Sequence, residues 1–438
     1  MSLPRYPKYD SLKVPYVGEL PSSWRLNHLK RIADISYGIG EPPAYHTTGT
    51  PLVRATNVHA GKILRDGMVF VDPKEIPPNR ISWLQEGDIV VVRSGAYAGD
   101  SALVPHDFGQ AIAGFDMVVR ARQIDPAFLQ YALLSYYVKN RQFDVQRMRA
   151  AQPHLNAMEV GSCIVAVPTS SEQAAIVAFL DRETAKIDAL VAEQERLITL
   201  LREKRQAVIS HAVTKGLNAD APMKASGVEW LGKVPAHWDV VQSRRLFRVR
   251  SEKAYTGEEQ LTASQKYGII SQADFVRIEG RRVVEVIKGR ESLLHVEPDD
   301  FVISMRSFQG GIEWSTLRGS ISFHYVMLTP NRFVVPRFFA RLLKSDPYIQ
   351  ALRTTTDLIR DGQELRYSHF VQVPLPLVPV DEQHSIADFL DDRTAGADRL
   401  LEESTYAINL LRERRSALIS AAVTGQIDVR HLATADAT

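Results

Sequence analysis

Cysteine is almost missing from this chain of 438 residues: Cys163 stands alone. That excludes an internal disulfide framework and any zinc site built on cysteines. Long apolar runs are missing too. No stretch approaches the roughly 18 apolar residues of a membrane span, and the start, MSLPRYPKYDSL, lacks the apolar core of a secretory signal. The expected location is the cytoplasm. An excess of one charge is also absent, since 53 Lys and Arg against 51 Asp and Glu leave a net +2. This rules out a histone-like polycation and leaves room for a local basic surface.

Enzyme signatures are lacking as well. There is no G-x-x-x-x-G-K-[ST] loop for a nucleotide-driven motor, and no Asn-Pro-Pro-aromatic stretch of the kind that amino-methyltransferases place around a target amine. The 12 histidines have no ligand spacing. GIGEPP at 38–43 reads as plain turns. Asp66, Asp72 and Lys74 imitate the acid–acid–lysine set of metal-dependent nucleases, but the spacing is short and Pro73 suits a turn. The expectation is therefore no catalytic residue, no metal ligand and no cofactor in this chain.

What is present is ordinary in bulk, 45% hydrophobic and 24% charged, and long enough for two or three domains. The unusual feature is a repeat. EQAAIVAFLDRETAKIDAL (172–190) returns as EQHSIADFLDDRTAGADRL (382–400), an ungapped offset of 382 − 172 = 210. Ten positions are identical: Glu172/Glu382, Gln173/Gln383, Ile176/Ile386, Phe179/Phe389, Leu180/Leu390, Asp181/Asp391, Thr184/Thr394, Ala185/Ala395, Asp188/Asp398 and Leu190/Leu400. The match continues through ERLITLLREKRQAVISHAVTKG and STYAINLLRERRSALISAAVTG, and a lead-in motif, YVGELPSSW (16–24), returns as WLGKVPAHW (230–238). A period this long marks a tandem duplication rather than a solenoid. The chain divides into a first variable domain (1–168), a first spacer helix (169–216), a linker with a second variable domain (217–378), a second spacer helix (379–426) and a C-terminal tail (427–438).

Each repeated segment reads as one long helix. Ser171 and Asp381 are the expected N-caps, Glu172 and Glu382 suit the first turn, and Gly216 and Gly425 suit left-handed exits. The expected helix–helix seam is Ile176, Leu180, Ile187, Leu190, Leu197, Leu201 and Val208 on the first helix. On the second it is Ile386, Leu390, Ala397, Leu400, Ala407, Leu411 and Leu418. Because 210 is a multiple of seven, both copies stand in one heptad register, with Glu183, Gln194, Lys204, Arg393, Ser404 and Arg414 as polar interruptions that would fix it. About 43 residues make a rod of roughly 64 Å. A pseudo-two-fold relation between the halves would set the rods antiparallel, as a spacer with a reader at each tip. The fold class expected is α+β: mixed α/β variable domains with two long antiparallel coiled-coil helices.

The variable domains share a strand that ends in Arg-Ser and a glycine turn: GDIVVVRSG (87–95) and DDFVISMRSFQGG (299–311). Arg93 and Ser94 correspond to Arg306 and Ser307. Such an exit can aim an arginine fork at a phosphate or at a guanine edge. Gln152 corresponds to Gln363, and glutamine suits adenine. Arg54, Asn57 and Tyr97 in the first domain, and Gln309, Arg360, Arg366 and Tyr367 in the second, are further candidates for DNA contact. Arg281 and Arg282 form a basic pair suited to phosphate.

In combination these segments resemble the specificity (S) subunit of Type I restriction–modification systems, nearly end to end. The resemblance rests on GVEWLGKVPAHW, on the two EQ-headed helices after the Pro-rich strands VAVPTSS and VPLPLVPVDEQ, and on LLREKRQAVISHAVTKG. It implies a prokaryotic DNA-recognition subunit whose two target recognition domains each read one half of a bipartite double-stranded target. It further implies two methyltransferase subunits docked on the helices and two motor-nuclease subunits completing the complex. S-adenosylmethionine would be bound by the methyltransferase, and ATP and Mg by the motor-nuclease. A stand-alone bipartite DNA-binding regulator without an enzymatic partner is the alternative.

Overall fold

The two repeated segments form the longest helices in the computed structural model, Ser170–Lys215 and Val380–Val423. Residues 4–14, 17–41, 43–147, 153–280, 292–304, 307–355 and 365–432 are described. The chain forms two units. Unit 1 comprises residues 1–195 and 406–438, and unit 2 comprises residues 196–405. Each unit thus takes a variable domain, the first half of the helix that follows it, and the last half of the other helix.

Unit 1 is built on an antiparallel sheet with strand order 101–103, 89–91, 117–121, 33–37. The apolar run Ile89-Val90-Val91 is fully buried because both faces of the strand are covered. Side chains alternate across a strand. Ile89 and Val91, with Met117 and Val119, face a core that also holds Ile176 and Leu180 of the first helix and Ile419, Ala422 and Val423 of the second. Val90 and Val118 face a smaller core beneath a second sheet, ordered 69–71, 50–53, 111–113, 83–84.

Unit 2 repeats the plan. Its sheet runs 313–314, 301–303, 326–330, 247–250, the same order element for element. Phe301, Ile303 and Leu328 share a core with Ile209 and Val213 of the first helix and Ile386 and Leu390 of the second, while Val302 and Met327 face the other way. In each unit a strand just after the lead-in motif pairs with the strand just before the long helix, Arg25–His28 with Ile164–Val167 and Asp239–Val241 with Leu375–Leu377. The variable domain is therefore closed at its base.

The repeated residues turn out to be joints. Trp24 donates its indole N–H to Glu172 at 3.2 Å. Gly425, at the end of the other helix, lies so close that a Cβ there would collide with Pro21 and meet Trp24. In unit 2 the Trp238 indole donates to Glu382 at 2.9 Å, and a Cβ on Gly216 would meet Glu382, Trp238 and Pro235. Both glycines have positive φ, +74° and +68°, so the close approach and the left-handed exit demand the same residue. One tryptophan per unit thus binds the start of one helix and supports the end of the other. Gln173 accepts from the Asp125 N–H and donates to the Pro168 carbonyl. Gln383 accepts from the Val335 N–H and donates to Val378. These partners are shifted by 210, as 335 − 125 and 378 − 168 show, and Gln383 donates besides to the Phe333 carbonyl.

Two expectations need correction. The first helix is capped by Thr169, not Ser171: the Thr169 hydroxyl and backbone N–H both donate to the Glu172 carboxylate, a capping box begun two residues earlier. The second helix begins after Pro379, so Asp381 lies in its first turn instead of capping it. The seam is also displaced on one side. Ile176, Leu180, Ile187, Ile386 and Leu390 are buried, and Leu201, Val208, Ala397, Ala407, Leu411 and Leu418 are half-buried. Leu190 (54% exposed), Leu197 (37%) and Leu400 (47%) face outward. Ser404 is buried at its expected position, and elsewhere the buried column runs one residue later, through Thr184, Ile198, Thr394 and Ile408. Small and β-branched side chains occupy it, and the larger leucines are left outside.

Within unit 1 the two helix halves run antiparallel, since Asp188 pairs with Arg415 at 2.9 Å and Glu195 with Arg412 at 2.9 Å. Within unit 2 Arg205 pairs with Asp398 at 2.7 Å. Asp188–Arg415 and Asp398–Arg205 are the same pair by symmetry (398 − 188 = 415 − 205 = 210).

Candidate nucleic-acid interface

Unit 1 gathers arginines and exposed aromatics where its strands leave the sheet. Strand 33–37 ends at Tyr37, and Gly38 then passes so close to the Gly114 carbonyl that no Cβ fits between them. Gly114 in turn packs on the Val53 carbonyl and the Arg54 stem. These contacts bring Tyr37, Arg54 and Phe115 together with Arg93 at the end of strand 89–91. Tyr37 is 45% and Phe115 47% exposed.

Arg93 is the centre of this cluster. Its guanidinium carbon lies 4.8 Å from the Tyr37 ring centre and 4.2 Å from that of Phe115, an arrangement favoured by the ring quadrupoles. Its backbone N–H donates to Asp116 at 3.1 Å. The loop is fastened to the segment after residue 152 by Leu155 N–H to the Arg93 carbonyl (2.8 Å), by Gly95 N–H to Pro153 (3.1 Å) and by Ser94 Oγ with His154 Nδ1 (2.9 Å). Asp116 is buried, which pushes its carboxyl up to about 6, against the lowering effect of the Arg93 N–H and charge.

The other candidates are placed as follows. Arg54 lies 5.3 Å from the exposed Tyr45 ring and donates to the Gly67 carbonyl at 2.9 Å. Asn57 is fully buried, accepts from the Arg54 N–H and donates to the carbonyls of Leu64 and Asp66. Both ends of its amide are spent on a turn, so Asn57 holds structure and is unavailable to a base. Tyr97 is exposed at the loop tip. In unit 2 Ser307 is buried, its hydroxyl accepting from the Ser304 N–H at the start of a short helix; it too serves the backbone. Gln309 is exposed, with Gln265 3.4 Å away. Arg366 is exposed at the start of the helix Tyr367–Phe370, and Tyr367 packs against the unit 2 core. Gln152, Arg281, Arg282, Arg306, Arg360 and Gln363 lie outside the described residues.

Tyr37, Phe115, Asp116 and His154 were missed by sequence reasoning. Their only signal is local: SYGIG and AGFDM set an aromatic beside a glycine at a strand end.

The unit 2 counterpart of the Arg93 exit, residues 305 and 306, lies outside the described residues; a buried charged cluster stands elsewhere in that unit, on strand 294–296. His295, buried, has Glu258 2.7 Å from Nδ1 and Glu297 2.9 Å from Nε2. Arg318 stands 3.5 Å from Glu297. Burial would lower the imidazole's affinity for a proton, but the two carboxylates outweigh it and the net shift is upward. Among the described residues no cluster of His, Cys, Asp and Glu is arranged to hold a metal ion, and no helix is long and apolar enough to cross a membrane.

No family model matches the chain. Full-length likeness is nonetheless found to curated proteins. The chain is 22% identical to the Type I restriction enzyme MjaVIII specificity subunit of Methanocaldococcus jannaschii, over 97% of this chain and 98% of that one. It is 20% identical to the Type I restriction enzyme EcoBI specificity subunit of Escherichia coli, over 92% and 86%. A chain solved in a study of complex assembly and conformational transition of the type I R-M system superposes with a TM-score of 0.58 at 18% identity, covering 93% of this chain and 99% of that one. The chain's curated homologues are thus Type I restriction enzyme specificity subunits, and it shares its fold with a chain of the type I R-M system.

Proposed function

We propose that this chain is the non-catalytic DNA-reading subunit of a Type I restriction–modification complex, with each unit reading one half of a split target. The observation that carries this reading is the duplicated frame with unlike variable parts. The sheet order, the tryptophan joint and the glutamine clamp recur in both units. The charged groups of the variable parts do not recur: unit 1 presents Arg93 among aromatics, and unit 2 closes His295, on strand 294–296, between two glutamates. A duplicated frame suits two equivalent partner subunits, and unlike variable parts suit two different words.

The outward leucines support the docking half of the reading. Unit 1 exposes Leu190 and Leu410, and unit 2 exposes their equivalents Leu400 and Leu200. Apolar side chains repeated at matched positions offer each of two methyltransferase subunits the same surface. In this scheme methyl transfer, with S-adenosylmethionine as donor, belongs to that partner, and ATP- and Mg-dependent work to a motor-nuclease subunit. The present chain supplies base contacts laid over salt-sensitive phosphate contacts. Methylome sequencing of cells carrying this chain with its methyltransferase subunit tests the proposal. A methylated sequence of two fixed half-words around unread bases is expected. Methylation at an uninterrupted word, or none dependent on this chain, would contradict it.

A further inference from the structure

We infer that Arg93 reads a guanine, as the specificity-determining residue of unit 1; this rests on the DNA-reading function proposed above. Structural arginines in the same fold look different. Arg120 spends its fork on Asp88, with Nε at 3.0 Å and Nη2 at 3.1 Å, and gives a further bond to the Trp83 carbonyl. In unit 2 Arg250 spends its fork on Asp300 in the same way. Arg93 does not. Its Nε is buried with no hydrogen-bond partner among the described residues, and Nη2 reaches only His154 Nε2 at 3.5 Å. The nearby carboxylate of Asp116 takes the Arg93 backbone N–H and leaves the fork alone.

The fork is therefore charged, held and largely unsatisfied. Two rings and a loop fastened at three points fix its orientation before any ligand arrives, so little side-chain freedom is lost on binding. Contact with the rings satisfies no N–H. An acceptor pair in the plane of the guanidinium does, and in DNA the O6 and N7 of guanine form such a pair in the major groove. Phosphate also matches a planar fork; the two ligands differ in what they read, since a phosphate contact carries no sequence information and a guanine contact fixes one letter.

The test is methylome sequencing with Arg93→Gln and Arg93→Lys in the complete chain beside its methyltransferase. The expected result is a guanine at one fixed position of one half-word in the parent. Both variants should lower selectivity there on the order of ten- to a hundredfold, Lys included because it keeps the charge and loses the planar fork. The other half-word should stay intact, which shows that the variant chain still folds and assembles. Three results would overturn the inference: a parent half-word without such a guanine, variants that relax no position, or a uniform loss across all sites with the salt dependence of binding reduced by about one counterion. If the parent itself shows no split target, the proposed function fails instead, so the two failures are distinguishable.

Discussion

Unit 1 and unit 2 share a frame and differ in the charged groups of their variable parts, and the division between the two follows what each residue must do. Frame residues hold helix ends. Trp24 and Trp238 each bind a glutamate at one helix start and crowd a glycine at another helix end. Any change there disturbs both helices at once, so the same solution stands in both halves. The variable parts spend their charges differently. Unit 2 spends the charges of Glu258, Glu297, His295 and Arg318 on one another. Unit 1 leaves the Arg93 fork unspent and buries the Asp116 carboxyl beneath it. Duplication followed by divergence is visible here as chemistry: apolar and backbone-binding residues kept, surface-facing ones rewritten.

The largest effect expected from breaking this comparison lies in the joints. Trp24→Ala and Trp238→Ala should each destabilise their own unit by about 3–5 kcal/mol, the usual cost of emptying a large buried site. Hydrogen exchange read unit by unit should show the loss confined to the mutated half. Equal loosening of both units by either variant would mean that the joint is not local.

A smaller effect separates the variable parts. Asp116 is more readily protonated folded than unfolded, about 6 against 3.8. Its contribution is complete at low pH and fades as pH rises from about 4 through 6. Asp116→Asn removes that slope and should stabilise unit 1 at pH 7 by up to about 3 kcal/mol, with no gain at pH 4. Thermal unfolding across pH checks this. His295, also raised, contributes below its unfolded pKa and loses that contribution as pH climbs above the ordinary histidine value of 6.5, so His295→Gln should flatten the curve in a higher window. One window for both variants would erase the distinction between the variable parts.

The smallest effect is that of the symmetric ion pairs. Asp188→Asn and Asp398→Asn should each cost less than about 1 kcal/mol and less still at high salt, because both carboxylates are partly solvated. Matching costs for the two would support the equivalence of Asp188–Arg415 and Asp398–Arg205.

The frame was readable in the sequence because helix and joint residues repeat at a constant offset, and a repeat reports burial without any alignment. Even so, three of the fourteen expected seam residues face outward. Leu190, Leu197 and Leu400 look like core by size, whereas Thr184, Ile198 and Thr394 are what the seam holds. Narrow spacing between helices, which composition does not reveal, decides that choice. The tip was less readable. Arg93 stood out as the end of an apolar strand, but its braces come from three distant segments: Tyr37 and Phe115 are joined by the Gly38–Gly114 approach, and His154 is tied to the Arg93 loop itself. Asn57 misled for the opposite reason, since a polar residue in a loop is as often the turn's own fastening as a ligand's.

The central claim is that each unit reads its own word on a common frame. Grafting a variable domain from a related chain in place of residues 25–165, followed by methylome sequencing with the same methyltransferase, tests it most directly. The account predicts that one half-word changes and the other is retained letter for letter. A change in both halves, or in neither, would contradict it.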